Sequence, residues 1–246
     1  MTEYYKNDFE EIVNDISNDY ISSNPPTSSS GTGDSVNSGY QYRIGGPKRK
    51  GEIDYDLLVR LTVCLIHGSG YSNNSNSNEK EMFQRAEGSV LIFMPGVPEI
   101  SKLIRLLEEV ISGTRCLQNL GIRVRTMALH GNLSPSDQKA VFVPARSKEL
   151  KIVVATNVAE ASVTIPDVTV VIDSCRVKEI DFDIETRMTT LMLKFASQDS
   201  LRQRRGRAGR VQMGRCFRLI THNTHSKLPM HGVPEILRIP LDRLIL

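Results

Sequence analysis

Residues 152–173 read Ile-Val-Val-Ala-Thr-Asn-Val-Ala-Glu-Ala-Ser-Val-Thr-Ile-Pro-Asp-Val-Thr-Val-Val-Ile-Asp. Lys151–Ala155 and Val168–Asp173 read as strands, and the polar pair Thr156-Asn157 follows the first of them directly. Working outward, Ser89–Met94 is a continuous apolar run, as expected for a strand buried on both faces. It ends at Pro95-Gly96, and Pro98 opens a helix with Ile100, Leu103, Ile104, Leu107 and Val110 on its inner side. Arg123–Leu129 is another strand, Cys216–Ile220 a short last one, and helical patterns separate the earlier strands. Such alternation predicts a parallel sheet with helices on both faces. Ligands of such sheets gather at the carboxyl ends of the strands, where His130 and Thr156 lie.

The flanks and the bulk numbers bound the rest. With 246 residues the chain accommodates one ordinary domain and additional material. The hydrophobic fraction of 39% is that of a soluble protein, and no apolar run approaches the length of a membrane span. Cys64, Cys116, Cys175 and Cys216 are scattered without a Cys-x-x-Cys pair, which implies free thiols in an intracellular, nuclear or cytoplasmic, setting. Cys216 with His222, His225 and His231 matches no standard zinc spacing, and no metal ligand set is expected. Near the amino terminus Glu3, Asp8, Glu10, Glu11, Asp15, Asp19 and Asp34 face only Lys6. The net charge of +3 therefore conceals a basic body, most concentrated between Arg202 and Arg218. A basic body with an acidic tail suits a nucleic-acid partner. Asp8–Tyr20 carries a helical stripe, residues 22–46 a Ser/Asn/Gly/Pro-rich linker, and Ser72–Asn78 a low-complexity loop. Ile53, Leu57, Leu58, Leu61 and Leu65 form a helical stripe capped by Asp54 or Asp56.

The basic concentration contains Gln-Arg-Arg-Gly-Arg-Ala-Gly-Arg at residues 203–210. On a helix, Arg207 and Arg210 share one face. Gly206 and Gly209 let the backbone come close to a ligand, and each guanidinium offers a planar fork suited to phosphate oxygens. Two cations aimed at one point stabilise the charge that builds up in phosphoryl transfer. A basic surface or import cluster is the blander reading of such a run, and the glycine phasing and the leading Gln203 argue against it. Arg202, Arg204 and Arg205 are read as solvated or salt-bridged.

The octet resembles the last helicase motif of superfamily 2 in its DEAH-box form. Residues 152–173 resemble the DEAH-family segment V-x-A-T-N-x-A-E-x-S-x-T-I, about the expected distance upstream. On these two motifs the chain is identified as a member of the DEAH/RHA-type RNA helicases, covering the second RecA-like domain. The resemblance implies an α/β, RecA-like three-layer domain with a central, mostly parallel sheet and an inserted β-hairpin. Residues 51–222 would be that domain, residues 1–50 an acidic, low-complexity linker, and 223–246 an exit segment towards a winged-helix domain. Val177–Ile184 and Met188–Ala196 alternate as the two strands of the hairpin, which in the family wedges between strands of a duplex.

Residue by residue, the resemblance implies Gln203, Arg207 and Arg210 as catalytic. Gln203 would position an attacking water or the terminal phosphate, and the two arginines would act on the γ-phosphate. Ser162, Thr164 and Gly206 would contact nucleotide, and Phe142, otherwise a core aromatic, would stack on its base. Ala161 replaces the family's threonine and Pro166 the aspartate near the ribose, for which Asp167 is the substitute at hand. His130, Gly131, Asn132, Thr156 and Asn157 would hold the RNA backbone, in keeping with what small polar groups and amides at strand ends do with phosphates. Glu160 is expected to be structural.

Neither a Gly-x-x-x-x-Gly-Lys-Ser/Thr loop nor an Asp-Glu-x-His sequence occurs in these residues. In the family these hold ATP and Mg²⁺ on the first RecA-like domain, so the chain alone is expected to be inactive. The implied partners are RNA, single strand or duplex, the first RecA-like and winged-helix domains of the same protein, and an activating protein. Two other readings compete: a non-catalytic nucleic-acid or protein-binding module, and a DNA-translocating relative on the same fold.

Overall fold

The computed structural model describes residues 52–68, 85–114, 119–161, 165–183, 188–208 and 214–234. The expected helix at Asp8–Tyr20, the linker 22–46, the loop Ser72–Asn78 and the exit segment after Pro234 lie outside them.

The described elements run α1 (Tyr55–His67), β1 (Ser89–Phe93), α2 (Val97–Gly113), β2 (Arg123–Leu129), α3 (Pro135–Phe142), β3 (Glu149–Ala155) and α4 (Val158–Ala161). Then come β4 (Val168–Asp173), β5 (Arg176–Asp183), β6 (Met188–Phe195), α5 (Gln198–Arg205), β7 (Arg215–Arg218) and α6 (His222–Ser226). Five strands pair in the order β2-β3-β1-β4-β7, every pair parallel. The α/β expectation is met, and the layers follow from side-chain parity. Val90, Ile92, Ile152, Val154, Val170 and Ile172 point to one face and pack on α1 and α2. Leu91, Phe93, Val153, Ala155 and Val171 point to the other, with Val141 of α3 and Ala159 of α4. Every residue of β1 and β4 is buried, which is why their sequences show no polar alternation.

Local chemistry sets the helix starts. Of the two aspartates open as caps, Asp54 caps α1, its carboxylate accepting from the Leu57 amide at 2.9 Å. Pro98 stands in the first turn of α2, where its missing N–H costs nothing. Ser134 caps α3 and Ser197 caps α5. Gly88, just before β1, has φ +81, and a Cβ there would sit 2.6 Å from the Asp167 carbonyl oxygen. The chain turns tightly there to bring β1 against β4.

The hairpin is present as a separate two-stranded sheet, paired from Arg176↔Phe195 to Asp183↔Met188. Register puts Ile180, Leu191 and Leu193 on one of its faces, all exposed, and Lys194 with Glu179 and Asp181 on the other. Its base is fastened to α2, where Lys178 Nζ donates to both carboxylate oxygens of Glu99 at 2.7 and 2.9 Å. Several strand boundaries differ from expectation by one or two residues, and two of the shifts have a visible cause. β3 starts earlier, at Glu149, because Arg123 and Glu149 already pair with one another. β7 stops at Arg218, where its partner β4 runs out at Asp173.

Candidate nucleic-acid and nucleotide interface

Parallel pairing brings the ends of β2 and β3 level, and the Thr156 amide donates to the Leu129 carbonyl at 3.1 Å. The turn His130-Gly131-Asn132 thereby comes beside Thr156-Asn157, two segments far apart in the chain. The turn is closed by the Leu133 amide on the His130 carbonyl at 3.2 Å, and Gln138 Nε2 holds the Leu133 carbonyl. Gly131, Asn132 and Asn157 are exposed, and a Cβ on Gly131 would meet nothing within 4 Å. The space above that glycine is open to a ligand rather than filled by this chain's own packing. His130 Nδ1 is buried with no hydrogen-bond partner among the described residues. Hydroxyl, amide and backbone N–H groups in this arrangement can take a sugar–phosphate backbone without reading bases.

Next to this edge, α4 packs against α5. The α5 helix ends at Arg205 with Gly206 as its cap, the Gly206 amide donating to the Arg202 carbonyl at 3.0 Å. Arg207 therefore lies beyond the helix, so the expectation that it shares a helical face with Arg210 does not hold at its own position. Glycine's poor helix propensity is the physical reason. Gln203 is exposed, and Arg207 Nε reaches back to the Gln203 carbonyl at 3.4 Å. Arg210, Ser162 and Thr164 lie outside the described residues. Phe142, at the end of α3, is half-buried against the second core cluster.

Asp167 lies apart from the other described candidate residues. It sits at the amino ends of β1, β3 and β4, away from Thr156 and His130. Its carboxylate accepts from Ser89 Oγ at 2.7 Å, the Ala145 amide at 2.8 Å and Lys151 Nζ at 2.9 Å. Burial alone would raise its pKa, but those three donors outweigh it and hold the carboxyl below the usual range. In this structure the Asp167 carboxylate is fully engaged as a clamp at that end of the sheet.

Of the two readings open for Arg204, solvated or salt-bridged, the second holds. Arg202 is exposed and pairs with Asp199, and Arg205 is exposed, as a basic run suggests. Arg204 is only 1% exposed, so the solvated alternative is ruled out for it. Its Nε meets Glu160 at 3.0 Å, and its Nη1 meets Asp173 at 3.0 Å and the Arg176 carbonyl at 3.3 Å. The guanidinium also lies 5.0 Å from the Phe93 ring centroid. Burial would lower its pKa, yet Asp173 and Glu160 more than compensate and raise it. Burial pushes the Asp173 carboxyl up, against the pull of Arg204 and the Cys175 amide. Leu201 and Arg204, three apart, share the buried side of α5, which the sequence of the run does not show. The neighbouring thiols are poor nucleophiles, Cys216 being pushed up to about 11 by burial.

The helicase conserved C-terminal domain model matches residues 73–212. The ATP-dependent RNA helicase DHX29 of Homo sapiens is 43% identical over 195 residues, covering 79% of this chain and 13% of that protein. The ATP-dependent RNA helicase TDRD9 of Danio rerio is 39% identical over 193 residues, 78% of this chain and 14% of its own length. The crystal structure of the E. coli DExH-box NTPase HrpB superimposes with a TM-score of 0.58 at 32% identity, over 71% of this chain and 21% of that one. The chain thus spans a small part of the relatives it matches. Domain match, relatives and sheet architecture agree: this chain belongs to the helicase conserved C-terminal domain family, within the DEAH/RHA group of superfamily 2.

Proposed function

We propose that this chain is the second RecA-like half of an ATP-dependent RNA helicase. It would bind ATP across a cleft shared with a first RecA-like domain and grip a single-stranded RNA backbone while translocating and unwinding. The observation that carries the reading is the meeting of the His130-Gly131-Asn132 turn with Thr156-Asn157 at level strand ends, where α4, which follows Asn157, packs against α5, which carries Gln203. In this reading those five residues hold phosphates and sugars, so grip is independent of sequence and weakens with salt. Gln203 orients the attacking water, Arg207 and Arg210 face the γ-phosphate, Ser162, Thr164 and Gly206 line the nucleotide, and Phe142 offers its exposed edge to the base.

Glu160 and Asp173, the carboxylates that meet α5 from other elements, are both engaged by Arg204, so they do not fit a Mg²⁺ ligand set. Mg²⁺, which neutralises triphosphate charge, is accordingly assigned to the first RecA-like domain, as are the triphosphate contacts. That domain and a winged-helix domain are the proposed neighbours within the same protein, with an activating protein as a further partner. An intracellular setting follows from the RNA substrate. Among the described residues no helix is long and apolar enough to cross a membrane.

Arg207→Ala in the complete enzyme is expected to lower ATP turnover by about 10³–10⁵-fold while single-strand affinity stays near that of the unsubstituted protein. Steady-state hydrolysis and RNA titration check this. Equal loss of both would sink the assignment of roles, and RNA binding with no ATP turnover in any form would favour a non-catalytic module.

A further inference from the structure

Thr156-Asn157 do not simply precede α4; their carbonyls close its first turn. The Ala159 amide donates to the Thr156 carbonyl at 3.2 Å and the Glu160 amide to the Asn157 carbonyl at 2.9 Å. A shift of the loop therefore moves Glu160 with it. Glu160 is held by Arg204 Nε, and Arg204 lies between Gln203 and the turn that carries Arg207. The Arg207 amide donates directly to the Arg204 carbonyl at 3.0 Å. On its other side the same guanidinium is bound to Asp173, which ends β4, and to the carbonyl of Arg176, which starts the hairpin.

One side chain thus joins the loop proposed to hold RNA, the segment proposed to face ATP, and the root of the hairpin. Fold stability gives little reason for such a network, since apolar packing of similar volume serves a core as well as or better than buried ions. The network is also unsaturated. Asp173 Oδ2 is buried with no partner among the described residues, which leaves the guanidinium a second acceptor to turn onto. Coupling between two sites requires an element with two arrangements that both sites bias.

We propose that Arg204 is a positioning residue which, through Glu160, couples occupancy of the Thr156-Asn157 loop by an RNA backbone to the orientation of Gln203 and Arg207. The proposal rests on the helicase reading above and adds the route by which RNA stimulates hydrolysis.

The test uses the complete enzyme with single-stranded polyuridine as the probe. kcat and KM for ATP are measured with and without it, beside RNA affinity and the thermal midpoint. Glu160→Gln is expected to leave basal kcat, RNA affinity and thermal midpoint close to those of the unsubstituted protein, and to reduce the stimulated kcat by at least about fivefold. Glu160→Asp, which keeps the charge, should restore most of the stimulation. Arg204→Lys, which loses the fork that reaches both carboxylates, should reduce it further. Full stimulation in both Glu160→Gln and Arg204→Lys overturns the coupling. So does a loss that only tracks a fall in thermal midpoint, since that is a structural staple. Absence of RNA-stimulated hydrolysis in the unsubstituted enzyme overturns the helicase reading itself, and is seen before any variant is made.

Discussion

At the amino ends of the central strands Lys151 meets Asp167, and at the carboxyl ends Arg204 meets Asp173; both cations are essentially buried and both acids belong to the β4 segment. The two clusters nevertheless differ in how completely they are satisfied. Lys151 donates to the carbonyls of Val141 and Val143 and to Asp167, using its three protons, and Asp167 in turn has both oxygens occupied. Every connection there is within the sheet and the turn behind α3. At the other end Asp173 keeps an unpartnered oxygen, and Arg204 spreads its donors over α4, β4 and β5. A saturated cluster has one arrangement and holds the fold. An unsaturated one, placed among loops that face ligands, is suited to change.

Breaking the saturated end should have the largest effect on stability and the smallest on chemistry. Asp167→Asn leaves a buried ammonium without its counter-charge, and is expected to cost about 3–5 kcal/mol in chemical denaturation of the chain. In the complete enzyme, ATP turnover per folded molecule should not change. A large loss of turnover at unchanged stability would bring Asp167 back into the site and erase the contrast.

Acid titration sharpens the same difference at smaller amplitude. The Asp167 carboxyl is held below its ordinary value in the fold, so the stability it contributes is complete above about pH 4, the unfolded value, and is lost as pH falls through the lower folded one. Unfolding followed from pH 6 to pH 2 should show an acid limb whose slope is shallower in Asp167→Asn. Identical limbs in the two proteins would mean that the clamp is not ionised as described.

The hairpin should respond least. Leu191 is 63% exposed on the apolar side of a ribbon that packs little of itself into the core. Leu191→Thr preserves strand propensity and is expected to move the denaturation free energy by no more than about 0.5 kcal/mol. A larger fall would show that this face is covered in solution.

Much of the sheet could be read from residues alone. Ser89–Met94 and Val168–Asp173 are mostly apolar, with no regular polar alternation, because both of their faces are covered. The turn at His130 and the pair at Thr156 were legible for a related reason, since strand ends of a parallel sheet are where polar loops converge. Arg204 was not legible. An arginine between other arginines carries the same local pattern whether it is solvated or buried, and only the approach of Glu160 and Asp173, 44 and 31 residues away in sequence, distinguishes the cases. The clamp at Asp167 was not legible for the same reason. Its place next to Pro166 put it near a candidate nucleotide position in sequence, whereas the start of β4 put it at the opposite end of the sheet from Thr156.

What the residues determined by themselves is what depends on neighbours a few positions apart: periodicity, capping, the strand-end loops, the glycine-punctuated arginines and the family they resemble. Tertiary structure alone decided strand order, and which polar groups are saturated and which keep a spare acceptor. These depend on partners brought together across the fold, and a buried charge takes its role from the groups that surround it in space rather than from those beside it in the chain.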